Sequence, residues 1–147
     1  MRRTTIGLAL ACALALGVAP AEAKDRTITI KARSQLDRVQ AVDSAPAGQS
    51  AGDMLIFTER LLNARGRRIG SDAATCVRLF DSTMLCTGVY SLPGGRVMVQ
   101  LLQPGLTGTY DQAITGGTGR FAGARGTVRV AQRPDGDRFT FRMRVER

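Results

Sequence analysis

The sequence predicts an all-β fold, an eight-stranded antiparallel β-barrel, on three observations. About eight β-like segments follow one another at short, regular spacing with turn residues between them. No segment reads as a convincing amphipathic helix. The stretch 113–128, AITGGTGRFAGARGTV, sets Gly116, Gly117, Gly119 and Gly123 around Phe121 and closes on Gly126, where strand alternation resumes. Glycines so placed between two strands mark a sharp turn, a bulge or a close backbone approach, and Phe121 is expected to pack inward as a barrel plug. Eight strands closed on themselves leave an interior either filled by side chains or holding one small ligand.

The elements follow in order. RTITIKA (26–32) alternates, with Ile28 and Ile30 on one face, and 44–52 is a loop of small residues. Met54–Leu62 is a strand apolar on both faces, and Ala64, Arg65 and Gly66 turn the chain into a strand over 69–80. After a turn at Asp81 and Ser82, Met84–Leu92 returns as its partner. Pro93, Gly94 and Gly95 turn into RVMVQLL, which Pro104 and Gly105 break before a strand over 107–115. GTVRVAQ follows the glycine stretch. Pro134, Asp135 and Gly136 then turn into RFTFRMRVE, with Phe139, Phe141, Met143 and Val145 on one face and arginines on the other.

The amino terminus reads differently. Arg2 and Arg3, the apolar run 6–18 and the small-x-small pattern Ala21-Glu22-Ala23 have the form of a secretory signal peptide cleaved after Ala23. An uncleaved anchor is the alternative, but the run is short for a membrane span. The expectation is a signal peptide over 1–23 and one barrel domain over 24–147, secreted to the extracellular space or periplasm, with no transmembrane segment after cleavage. Removing Arg2, Arg3 and Glu22 takes the formal charge from +9 to +8. The arginines are spread over nearly every segment, and with no Trp and few aromatics a stacking platform is not evident. A solvated basic surface is preferred, with no nucleic acid expected as partner.

Cysteines and the absence of histidine narrow the chemistry. Cys76 and Cys86 lie symmetrically about residue 81 on neighbouring strands, so a hairpin sets them opposite each other for a cross-strand disulfide. A free nucleophilic Cys76 is the rival reading. Without histidine there is no Ser-His or Cys-His pair and no imidazole base. Two cysteines alone do not make an ordinary zinc site, and Asp53, Glu59, Asp72, Asp81 and Asp111 lack calcium-loop spacing. The glycine stretch matches neither a phosphate-binding loop nor a dinucleotide fingerprint. No metal and no cofactor are expected.

Strand phase supplies the candidate site. Asp53, Leu55, Phe57, Glu59 and Leu61 share one face. If that face is internal, Glu59 is a carboxylate in an apolar cavity with a raised pKa; if external, it is a charge beside Arg60, the placement preferred here. Tyr90 and Tyr110 are the only tyrosines, and each offers a hydroxyl to a ligand or to the core. Arg78, on the face of Cys76 and Phe80, is either internal or paired with an acid. The candidates are therefore Glu59, Tyr90, Arg78 and Arg125 for catalysis, and Asp53, Phe57, Tyr90 and Tyr110 for a ligand pocket.

GDMLIFTERLL, RIGSDAATCVRL, VYSL and AITGGTGRFAGARGTV resemble, in order and spacing, the allene oxide cyclases, and the last motif resembles that of the dirigent proteins. The resemblance runs from Gly52 to about Val130. It implies a calycin-like eight-stranded barrel, often a homo-oligomer (dimer or trimer), around a hydrophobic cavity. The cyclases close an unstable epoxide without a cofactor by holding one substrate conformer, and dirigent proteins steer the coupling of phenolic radicals. With ITIKARSQLDR in register, the cyclase glutamate and asparagine fall at Ala32 and Ser34, and a nearby proline at about Ala41. The cyclase cysteine matches Cys76, and the dirigent arginine matches Arg125. The acid of the reaction is thus missing from its place. The functional expectation is a barrel that binds a small hydrophobic molecule and guides its stereochemistry. Its alternatives are a cofactor-free cyclase or isomerase, and a filled barrel acting through its basic surface.

Overall fold

Alternation of apolar and polar residues gives each strand one face to bury, and eight such strands bury all of those faces at once by closing into a ring. A computed structural model describes residues 26–80, 83–103 and 108–145. The expected signal peptide, the turn at Asp81 and Ser82 and the break at Pro104 and Gly105 lie outside the described residues. Strands β1 (Arg26–Val42), β2 (Met54–Leu62), β3 (Arg68–Arg78), β4 (Met84–Leu92), β5 (Gly95–Gln103), β6 (Thr109–Gly117), β7 (Arg125–Ala131) and β8 (Arg138–Val145) form a closed antiparallel barrel in sequence order. Among the described residues no helix is long and apolar enough to cross a membrane.

β1 is much longer than the seven-residue alternation predicts. Its first half pairs with β8, from Arg26 opposite Val145 to Arg33 opposite Arg138. Its second half pairs with β2, from Arg33 opposite Leu62 to Val42 opposite Met54, through a bulge between Leu36 and Arg38. That second half is almost wholly exposed, so it carries no buried face for a pattern to reveal.

Inside, most of the barrel is one apolar core. Val128 and Val130 from β7, Phe139, Phe141, Met143 and Val145 from β8 and Leu92 and Val97 from β4 and β5 are all buried. Tyr90 meets Phe141 edge-on at 4.8 Å and Phe139 at 5.6 Å. The glycine motif seals one rim. A short 3₁₀ turn (Gly119–Phe121) carries Phe121, fully buried, across the end of the barrel. There the Arg120 N–H donates to the Gly94 carbonyl (2.8 Å) and the Thr118 N–H to that of Arg96 (2.9 Å). Gly119 takes φ +61°, and a Cβ on it would meet the Gly94 carbonyl oxygen; a Cβ on Gly117 would meet that of Phe121. These glycines serve close backbone approach, not a phosphate.

A second, smaller cluster joins Cys76, Cys86 and Met84 to Leu55, Phe57 and Leu101. Cys76 and Cys86 are direct cross-strand partners and form a disulfide. Outside, the centre of the β2–β5 wall is uncharged, with Ile56, Thr58, Ala73, Thr75, Val89 and Met98 lining a shallow groove. For this reason β2 reads as apolar on both faces.

Candidate functional site

The polar interior is built by three neighbouring strands. Glu59 on β2 is the register partner of Asp72 on β3, which in turn is the partner of Tyr90 on β4. Alternation aims all three inward, since they share phase with the buried Leu61, Cys76 and Cys86. The expectation that Glu59 sits on the surface is therefore corrected. Its ambiguity came from the apolar outer face of β2, and the interior claims the face that holds Leu61.

Burial governs the charges here. Desolvation pushes Glu59 up to about 7, against a lowering hydrogen bond from Ser34 and a further rise from Asp137. Asp72, 4% exposed, is pushed up to about 8, first by desolvation and then by the Glu59 charge. Its Oδ1 is buried without a hydrogen-bond partner, and neither carboxyl forms an ion pair among the described residues. Two adjacent carboxyls in an apolar interior share protons near neutral pH, because ionising both would set like charges side by side out of water. The Tyr90 hydroxyl donates to Gln112 Oε1 at 2.7 Å, and burial keeps it protonated, well above the ordinary tyrosine value. Tyr110 is pushed up to about 12, chiefly by desolvation.

Ser34 ties this row to the neighbouring β1–β8 junction. Its N–H donates to the Asp137 carbonyl (2.8 Å), while its Oγ accepts from the Asp137 N–H (3.1 Å) and hydrogen-bonds Glu59. The contact lies where β1 outruns β8, and a cleft of about 580 Å³ opens there. Ser34, Leu36, Glu59 and Asp137 line the cleft, with Arg33 and Arg133 also in its wall. Behind Glu59, the interior keeps a cavity of about 20 Å³ among Phe57, Asp72, Tyr90, Tyr110 and Gln112, about the size of one water. Next to Glu59 the larger open volume is thus the cleft, not the small interior cavity.

The remaining candidates lie apart from this row. Asp53 folds the loop before β2, accepting from the N–H groups of Ser50 (2.7 Å) and Ser44 (3.0 Å). Those bonds, the one from Ser50 first, hold its carboxyl below the usual range. Arg78 lies 3.8 Å from the Asp53 carboxylate, half-buried. Arg125 is exposed on β7 and donates to the carbonyl of Ala124 (2.8 Å). Phe57 packs on the disulfide cluster and lines the small cavity. Ala32 and Ser34 are both buried and inward, and the carboxyls stand on the two strands beyond them. Asp72 and Gln112 had no distinguishing sequence signal except a polar residue in the apolar phase of a strand. No group of three or more metal-ligating side chains occurs among the described residues.

No protein-family model and no curated protein matches the sequence. Solved structures do. A pyocyanin demethylase is similar with 26% identity and a TM-score of 0.71, over 79% of this chain and 99% of that one. A pterocarpan synthase dirigent protein is similar over 90% of this chain and all of its own (12% identity, TM-score 0.67). The Diels–Alderase AbmU from Streptomyces koyangensis is similar over 81% of this chain and 64% of its own, at 16% identity and a TM-score of 0.67. The fold is that of the dirigent and cyclase barrels, as the motifs imply.

Proposed function

We propose that the protein binds a small, hydrophobic, ring-bearing molecule in the cleft over Glu59 and steers or transforms it without a cofactor, by proton exchange with the Glu59–Asp72 pair. One observation carries this reading: two adjacent carboxyls, with no ion pair among the described residues, stand inside a closed apolar barrel, and Glu59, the outer of the two, lines the foot of a cleft. A neutral carboxyl held out of water donates a hydrogen bond to a ligand heteroatom, and the proton follows as negative charge develops there. Glu59 borders both the cleft and Asp72, so it returns that proton from solvent. The cleft's volume suits a small organic molecule, and its walls would hold one conformer or approach. By their names, the three similar proteins demethylate pyocyanin, make a pterocarpan and catalyse a Diels–Alder reaction, all chemistry of small ring systems. The disulfide supports work outside a reducing cytosol.

The test begins with the purified protein and a panel of ring-bearing compounds, phenazines including pyocyanin among them, with no cofactor added. Binding is read by native mass spectrometry and conversion by absorbance. Expected is one class that binds and turns over, at a rate that falls as pH rises past about 8, where Asp72 loses its proton. Asp72→Asn and Glu59→Gln should each cut turnover about a hundredfold or more while binding changes by only a few-fold. Turnover that survives the double substitution would sink the reading, as would the absence of any bound class.

A further inference from the structure

The outer wall formed by β1, β8 and β7 carries a charge pattern that, apart from Arg33 at the edge of the cleft, the internal site does not use. Outward residues there alternate between cations and threonines. Lys31 pairs across with Thr140 and Thr140 with Arg129; Thr29 pairs with Arg142 and Arg142 with Thr127. Arg144 faces Arg125, and Arg33 faces Arg138. Like charges directly opposite on a sheet oppose folding, yet Lys31, Arg33, Arg129, Arg142 and Arg144 form no ion pair among the described residues. Arg138 alone is neutralised, by Asp135 at 2.7 Å, while Asp111 stands opposite Arg129. Where the wall meets the turn after β2 it becomes concave, with Lys31, Arg33, Arg138, Asn63 and Gly66 lining a pocket of about 460 Å³.

We propose that this wall binds a linear acidic polysaccharide, a single chain laid along β7 and β8 with one acidic sugar seated in the Lys31–Arg33–Arg138 pocket. Cations two residues apart on a strand stand about 6.6 Å from each other, so a thin chain with an acidic group on each sugar meets several in succession. Guanidinium forks take carboxylates two-pronged, and the intervening threonine hydroxyls pair with sugar hydroxyls. Other anionic macromolecules fit less well. The wall presents no aromatic ring for stacked bases. The wall of a barrel is convex, and a rigid duplex would touch it only along a line. Of the large exposed apolar residues, Ile56, Phe80, Leu85, Met98 and Leu102 lie off this wall, and Leu36 and Val39 lie on the part of β1 that pairs with β2 beyond the end of β8, so the charged face has nothing to sink into a bilayer.

Binding to immobilised polygalacturonate tests this, with neutral dextran, duplex DNA and phosphatidylglycerol vesicles in parallel. The expected result is affinity for polygalacturonate alone, weakening about tenfold or more as NaCl rises from about 50 to 300 mM. Arg129→Gln/Arg142→Gln/Arg144→Gln should weaken it at least tenfold without lowering the melting temperature. Arg38→Gln/Arg60→Gln/Arg96→Gln, which removes the same charge elsewhere, should change it by less than twofold. Equal losses in the two triple variants would reduce the effect to net charge and overturn the proposal. So would tighter binding to DNA or vesicles, or no binding at low salt.

Discussion

Phe139, Phe141, Met143 and Val145 face the interior from β8, and Leu55, Phe57, Glu59 and Leu61 face it from β2 at the same two-residue spacing. On β8 every one is buried and apolar, and neighbouring β7 adds Val128 and Val130. On β2 and β3 the same geometry aims Glu59 and Asp72 into the barrel, where Asp72 Oδ1 lacks a partner. One half of the ring is thus packed for stability, and the other gives up stability to keep two carboxyls out of water. That division is what a site needs: a rigid apolar wall against which a few polar groups hold shifted pKa values.

The largest effect is expected in the apolar half. Phe121→Ala empties the plug of the apolar half and should lower unfolding free energy by about 3–4 kcal/mol, equally at pH 5 and pH 8, as urea denaturation would read. A loss that depended on pH would tie the plug to the carboxyls and blur the two halves. Asp72→Asn acts on the other half with the opposite sign. Between the ordinary carboxyl value near 4 and about 8, the folded protein keeps a proton that the unfolded chain has released. The native stability associated with Asp72 is therefore full below about pH 4 and falls as pH rises to about 8. Asparagine does not titrate, so the variant should gain ~2–3 kcal/mol over the native protein at pH 8 and differ little at pH 4.

Two smaller changes sharpen the boundary. Tyr90→Phe leaves Gln112 Oε1 without its donor and should cost ~1–2 kcal/mol in the same denaturation assay. Ser34→Ala should cost about 1 kcal/mol and, by removing the bond that lowers Glu59, raise that carboxyl further; a ¹³C NMR titration of Glu59 reads the shift. A Glu59 titration that stayed put would mean that Ser34 serves the β1–β8 junction alone.

Much of the packed half was legible in the sequence, because its strands bury one face and expose the other. β8 alternates phenylalanine and methionine with arginine, and Phe121 sits among glycines that only a close backbone approach explains. The Cys76–Cys86 register followed from their symmetry about residue 81. The reactive half was harder to read. β2 carries Ile56 outside and Phe57 inside, so hydrophobicity could not say which face held Glu59. Beyond Ser34, β1 buries neither face and left no period to find. Ser34 and Gln112 are small or neutral polar residues, and only their contacts across strands distant in sequence give them a role.

The seam between β1 and β8 also bears on how the molecule reaches this state. Every other neighbouring pair of strands is a hairpin or short connection that forms locally, but this pair joins Arg26 to Val145. Ring closure must wait for the last strand, and the loop-closure entropy falls on that single step. Pairing between segments so distant in sequence is slow to form. Until β8 arrives, β1 and β7 present open edges, which are the surfaces through which unfinished sheets aggregate. Each edge carries two cations on its solvent-facing side, Lys31 and Arg33 on β1 and Arg125 and Arg129 on β7. Mutual repulsion between copies then protects the half-made barrel during its slowest interval.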